Sequence, residues 1–389
     1  RKDLMAESPI RKLVPYADAA KAAGINVYHL NIGQPDIETV PSLKEGYAHP
    51  PEVISYGPSQ GLPEVRQKFS EYYAQYGLSL DKEHIYITSG GSEAIIFALM
   101  AVTSPGDEII IPEPYYANYN GFAAMSGAKV VPVTSRIEDG FHLPAIEEFE
   151  KVVSPNTRVI MFSNPGNPTG AVFSRERLQE LVEFARAHNL FIISDEVYRE
   201  FAYEGRQAVS IMEFDGVEEN AIMVDSVSKR YSACGSRIGT IVSRNTEVMN
   251  LVLRFAQARL CPPTIDQLAV GEALLSSENY LERVRLEYKP RRDFLVERLQ
   301  SIENVRVSVP EGAFYLIAEL PVDDAEKFAI WLLSDFNVEG ETLMVAPAQG
   351  FYATPEIGKQ QVRLAYVLTR DKLERAVRIL KEALDAYNH

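Results

Sequence analysis

TRVIMFSNPGNPTGAVFSRERLQELVEFARAHNLFIISD, residues 157–195, passes from an apolar run through a proline- and glycine-rich turn into a helical pattern and back to an apolar run. RVIMFS (158–163) and LFIIS (190–194) carry apolar side chains at successive positions. Strands covered on both faces of a mostly parallel sheet read this way, because neither pleat meets water. SRERLQELVEFARAH (174–188) repeats its apolar positions at three- and four-residue steps, the spacing of one helix face. The same alternation extends in both directions through HIYIT (84–88), EIIIP (108–112), KVVPV (129–133), AIMVDS (221–226) and RIGTIV (237–242), making seven such runs. A helical stretch, SEAIIFALMAV (92–102), falls between the first two of these. The pattern predicts an α/β fold: an open, mostly parallel seven-stranded sheet with helices on both faces. Ligands of such a sheet bind beyond the carboxyl ends of its strands.

From about residue 245 the chain turns to long helices, with the charged YLERVRLEYKPRRDFLVERLQ (280–300) crossing between units. AFYLIAEL (313–320), QVRLAYV (361–367) and the amphipathic DKLERAVRILKEALDAY (371–387) form a second, smaller α+β pattern. The expected division is a large domain over 45–285 and a small one over 1–44 and 286–389, built from both termini.

Hydrophobic residues make up 46% of the 389 and charged residues 24%, a globular balance. The net charge of -15 works against nucleic acid and anionic membranes, and any bound anion needs a local positive site. No apolar run reaches the length of a membrane span. The two cysteines, Cys234 and Cys261, have no metal-site spacing and fit reduced thiols in the cytoplasm.

The chemistry-bearing residues fall at the ends of the apolar runs. After HIYIT come Gly90, Gly91 and Ser92 at a helix start, where free N–H groups and the helix dipole favour a phosphate. A tight turn with a capping serine reads equally well there. PEPYYANY (112–119) offers Tyr116, for ring stacking or for the core. The restricted turn SNPGNPTG (163–170) aims Asn167. Asp195 ends a strand and either caps a following helix or faces a cation, with Tyr198 three residues on and on the same helix face. SVSKRYSACGSRIG (226–239) surrounds Lys229 with Ser226, Ser228 and Arg237. Taken singly, each has an ordinary structural explanation. Together, in order along successive strands, they describe a site for a planar, phosphorylated aldehyde.

The chain resembles the fold-type I pyridoxal 5'-phosphate enzymes of the class I/II aminotransferase family. NIGQPD (31–36), ISYGPSQGLPEVR (54–66), TSGGSEA (88–94), PGDEIIIPEPYY (105–116), NPGNPTG, SDEVY (194–198), the lysine segment and VRLAYV (362–367) carry the resemblance, in the family's order. It implies that Lys229 holds the cofactor covalently and then moves the substrate proton, and that Asp195 keeps the pyridine nitrogen protonated. Asn167 and Tyr198 would donate to the ring oxygen, and Tyr116 would stack on the ring. Gly90, Gly91, Ser92, Ser226, Ser228 and Arg237 would surround the phosphate, and Arg363 and Gly33 would hold the substrate α-carboxylate. Tyr56 matches a tyrosine supplied by a partner subunit, so the resemblance also implies a homodimer with shared sites.

It implies amino-group exchange between an L-amino acid and a 2-oxo acid, with aspartate the leading donor and alanine or aromatic amino acids the alternatives. A lyase or decarboxylase shares the same machinery, and a cofactor-sensing module without turnover is a more distant reading. The chain departs from the family's two usual readers of a distal carboxylate. Ala256 stands near the expected partner-subunit arginine, and Ser92 stands where a lysine follows the glycine pair. Arg259, in ARLCPPT (258–264), is the substitute expected from sequence, reaching a substrate carboxylate from the partner subunit.

Overall fold

The computed structural model describes residues 8–276 and 278–387. Its strands in chain order are β1 (Asn26–His29), β2 (Ile85–Thr88), β3 (Glu108–Glu113), β4 (Lys129–Thr134), β5 (Thr157–Ser163), β6 (Phe191–Asp195), β7 (Ala221–Ser226), β8 (Gly239–Val242), β9 (Arg306–Val307), β10 (Tyr315–Glu319), β11 (Glu341–Met344), β12 (Ala346–Pro347) and β13 (Gln361–Ala365). The large sheet has seven strands in the order β2-β8-β7-β6-β5-β3-β4. All its pairings are parallel except those of β8, which runs against both β2 and β7.

The continuous apolar runs are explained by what covers the sheet. Ile109, Ile111, Val159, Met161, Ile193, Ile222 and Val224 bury one pleat in a core that includes helix Gly91–Val102. Their neighbours Ile110, Ile160, Ile192 and Met223 bury the other pleat in a second core. With a core on each side, both pleats of these strands take apolar side chains. Helix Arg175–Ala187 turns Leu178, Leu181, Val182 and Ala185 inward, and the Ser174 hydroxyl caps its start by accepting the Arg177 N–H at 3.3 Å.

Beyond the large sheet, β12-β13-β10-β9 form an antiparallel sheet. β1 pairs in parallel with β11 more than 300 residues later, bringing Asn31 to Gln34 close to β10 and β13. The C-terminal helix Arg370–Tyr387 buries Leu373, Ala376, Leu380 and Leu384 on one face. Among the described residues no helix is long and apolar enough to cross a membrane.

A cluster of buried charges lies under the segment that follows β7. Arg230 is fully buried, pairs with Asp225 and Glu200, and sits 4.4 Å from the Tyr72 ring centroid. Burial pushes the Asp225 carboxyl up, and the Arg230 and Arg199 guanidiniums outweigh it and hold the group below the usual range. Removing one partner of a buried ion pair leaves the others uncompensated. Arg230→Met is therefore expected to lower stability to urea by about 3–5 kcal/mol. A loss below about 1 kcal/mol, the size of a surface pair, would show that the cluster does not hold this segment.

Candidate active site

Five strand ends of the large sheet open onto one cavity of about 380 Å³. β2 leads into Gly91 and Ser92, β3 into Tyr116, and β5 into Asn167; β6 ends at Asp195, and β7 runs through Ser226 into the short helix Val227–Arg230 that carries Lys229. The opposite wall comes from Gly33, Tyr315 and Arg363. Tyr198, Ser228 and Arg237 also line the cavity, and Gly90 immediately precedes its lining residues. Tyr56 and Arg259 do not line it.

One end of the cavity is built to meet an anion. Gly90, at φ +82°, begins helix Gly91–Val102, which has no side-chain cap, so the N–H groups of its first turn remain free. A Cβ on Gly90 would overlap the Arg237 guanidinium, and one on Gly239 would stand 2.6 Å from the Gly90 carbonyl carbon. Both positions therefore need glycine, so that β8 and Arg237 can press against the helix start. Arg237 itself adopts φ +55°, uncommon for a residue with a side chain. Its guanidinium donates to the carbonyls of Cys234 at 3.1 Å and Ser89 at 3.4 Å. The Ser226 hydroxyl lies 2.8 Å from that of Ser228 and accepts the Ser228 N–H at 3.2 Å.

The other chemistry lies deeper. Asp195 accepts from the Tyr119 hydroxyl at 2.6 Å and from the Val197 N–H at 3.3 Å. Burial pushes its carboxyl up to about 6, and the nearby Asp225 and Glu196 add to the rise against those two hydrogen bonds. Both hydrogen-bond partners are neutral, and among the described residues Asp195 forms no ion pair. A turn rather than a helix follows β6, so Asp195 caps no helix and Tyr198 shares no helix face with it. Tyr198 instead places its hydroxyl 2.9 Å from that of Tyr315. Burial raises its phenol well above the ordinary value, with Tyr315 adding to the rise, so it stays neutral and able to donate.

Lys229 Nζ donates to the Gly33 carbonyl at 2.9 Å and lies 3.6 Å from Cys234 Sγ. Gly33 permits this approach because a Cβ there would collide with the Tyr315 phenol. Arg363, on β13, donates to Asn167 Oδ1 at 3.0 Å and to the Asn31 carbonyl at 2.6 Å. Its guanidinium lies 4.5 Å from the Tyr315 ring centroid and 5.0 Å from that of Phe351, and its buried Nε has no partner among the described residues.

Arg11, Lys229, Arg237 and Arg363 bring positive charge to the cavity, and Asp195 is its one acid among the described residues. In a chain of net charge -15, this is the local positive site that an anion requires. The residues fit a phosphorylated pyridine aldehyde. The free helix start with Arg237 suits the phosphate, and the Lys229 amine suits the aldehyde. Asp195, buried without a cation, suits a protonated ring nitrogen.

Two residues outside the cavity have other surroundings. Tyr56 is 84% exposed. Arg259 bonds to Glu93 at 3.1 Å and to the Leu260 carbonyl at 2.7 Å. Sequence reasoning missed Tyr119, Tyr315 and Asn31. Tyr119 closes the quoted PEPYYANY, three residues after Tyr116, and that spacing at a helix start was the available signal.

The family model described as aminotransferase class I and II matches residues 25–380. An aspartate aminotransferase of Pyrococcus horikoshii is 32% identical, over 98% of this chain and 96% of that one. Aromatic-amino-acid aminotransferase 2 of Thermococcus litoralis is 31% identical, over 98% of each. The solved structure of an alanine aminotransferase from Pyrococcus furiosus superposes with a TM-score of 0.91 at 29% identity, covering 99% of each chain.

Proposed function

Since the chain belongs to the class I and II aminotransferase family and is a pyridoxal-phosphate-dependent transaminase, we propose that it moves the amino group of an acidic L-amino acid, aspartate foremost, to a 2-oxo acid such as 2-oxoglutarate. The observation that carries this reading is the meeting of the Lys229 amine with the buried Asp195 carboxyl in one positively charged cavity.

When bound, the cofactor supplies a carbonyl that takes up and gives back amino groups and a ring that accepts the electrons of the substrate Cα–H bond. The residues of the chain do the rest. Gly91, Ser92, Ser226 and Arg237 hold the phosphate, with Gly90 and Ser228 behind them. Asp195 keeps the proton on the ring nitrogen, and Tyr119 orients Asp195 through its 2.6 Å bond. Asn167 and Tyr198 donate to the ring oxygen, and Tyr116 covers the ring face. Arg363 takes the substrate α-carboxylate as a two-pronged donor, and the Gly33 segment closes over it. The Lys229 amine would remove the substrate Cα proton as a general base already in place.

Tyr56 stands among the exposed apolar residues Val53 and Ile54. This supports a homodimer in which each copy lends Tyr56 to the other's phosphate. A cytoplasmic setting accords with the two unpaired cysteines.

Alanine and aromatic donors form a second reading, favoured by the apolar Ile10, Ile32 and Ile95 on the cavity wall. A donor screen with 2-oxoglutarate as acceptor tests both. The expected result is oxo-acid-dependent turnover, fastest with aspartate. Product release from an amino acid without consumption of the oxo acid would identify a lyase instead.

A further inference from the structure

Three of the four cations on the cavity wall have roles in the reading above; Arg11 has none. It begins the short 3₁₀ turn Arg11–Leu13 that leads into helix Val14–Ala22. The turn is seated firmly. Leu13 is fully buried, and the Arg11 N–H donates to Ser8 Oγ at 3.3 Å. The Pro9 ring fills the space where Gly350 would carry a side chain. Gly350 adjoins Phe351, whose ring centroid lies 5.0 Å from the Arg363 guanidinium. The backbone of Arg11 is thus fixed relative to Arg363, yet its guanidinium has no acceptor among the described residues.

The charge of Arg11 reaches the cavity. Burial pushes the Tyr116 phenol up, and Arg363 and Arg11 are the cations that pull against it. Ile10, Ile32 and Ile95 share the wall and offer a carboxylate nothing. Arg259, the substitute expected from sequence, is occupied by Glu93 and the Leu260 carbonyl.

We propose that Arg11 is the specificity-determining residue that binds the second carboxylate of dicarboxylic amino and oxo acids while Arg363 holds the first. The proposal rests on the aminotransferase reading and names what reads the substrate side chain. A guanidinium offers a carboxylate paired donors in a plane, which no other unassigned group on the wall provides. Because Arg11 is exposed, a neutral side chain can enter while the guanidinium stays in water, leaving no buried charge unpaired.

The test compares holoenzyme and Arg11→Gln in two measurements. One is the affinity for succinate, an unreactive dicarboxylate, followed through the cofactor absorbance. The other is single-turnover kcat/KM for aspartate and for alanine. Loss of charge-assisted hydrogen bonds is expected to weaken succinate binding by about 10- to 100-fold and to lower the aspartate-to-alanine kcat/KM ratio by a similar factor. Arg11→Lys should recover part of the loss, and Arg11→Glu should deepen it. An unchanged ratio and unchanged succinate affinity, in an enzyme that transaminates aspartate, would overturn the proposal and leave the aminotransferase reading standing. An equal fall for both donors would also overturn it, by showing a structural effect. A parent enzyme that neither binds succinate nor uses aspartate would overturn both this proposal and the preference for acidic donors.

Discussion

Lys229→Ala lowers amino-group transfer by about four powers of ten, the upper range for removing a positioned general base. On the proposed role the substitution also removes the amine that would hold the cofactor, so the cofactor is expected to become dialysable and its absorbance to shift. The fold should survive. The Lys229 side chain bonds only to the Gly33 carbonyl and to Cys234 Sγ among the described residues, and the buried contacts of its helix belong to its neighbours Ser228 and Arg230. Thermal unfolding near the parent temperature, together with single-turnover kinetics on aspartate, checks both halves. Transfer at the parent rate would remove Lys229 from the mechanism.

Asp195→Asn is expected to act in opposite directions on activity and on the cofactor-free protein. Transfer falls at least about a hundredfold, as when a preorganised electrostatic partner is lost from a water-excluded site. Stability without cofactor rises. Burial raises the Asp195 carboxyl from 3.8 to about 6, so the native state binds its proton more tightly than the unfolded chain does. The ionised carboxylate therefore costs stability above pH 6, and the cost disappears as pH falls below about 4, where both states are protonated. The variant should exceed the parent by about 3 kcal/mol in urea unfolding at pH 8, with the margin closing between pH 6 and pH 4. A margin independent of pH would mean that Asp195 is not the group responsible.

This opposition also shows what the sequence could reveal. The five strand ends were legible because each joins a run of apolar residues to an abrupt polar marker, and both signals are local. The double-sided burial of residues such as Ile109 and Ile110 leaves the same local trace. The burial of Asp195 without an ion-pair partner among the described residues leaves none, since it depends on where Tyr119, Asp225 and the arginines lie in space. β1 gives no sign that it will pair with β11, because parallel pairing across most of the chain has no short-range signature. Arg259 and Arg11 look alike as isolated arginines. Only the folded chain separates the one already bonded to Glu93 from the one left facing the cavity.

The one strand of the large sheet that runs against its neighbours has a further consequence. β7 ends and β8 begins on the same side of the sheet, and Ser226 is paired directly with Gly239. Everything between them, the short helix Val227–Arg230 included, is one connection fixed at both ends to adjacent strands. Lys229 and Arg237 both lie in that connection, so the spacing between the amine and the proposed phosphate anchor depends directly on its residue count. Surface loops elsewhere can lengthen or shorten as sequences diverge. This one is a measured ruler, and a single inserted residue would change the length it measures.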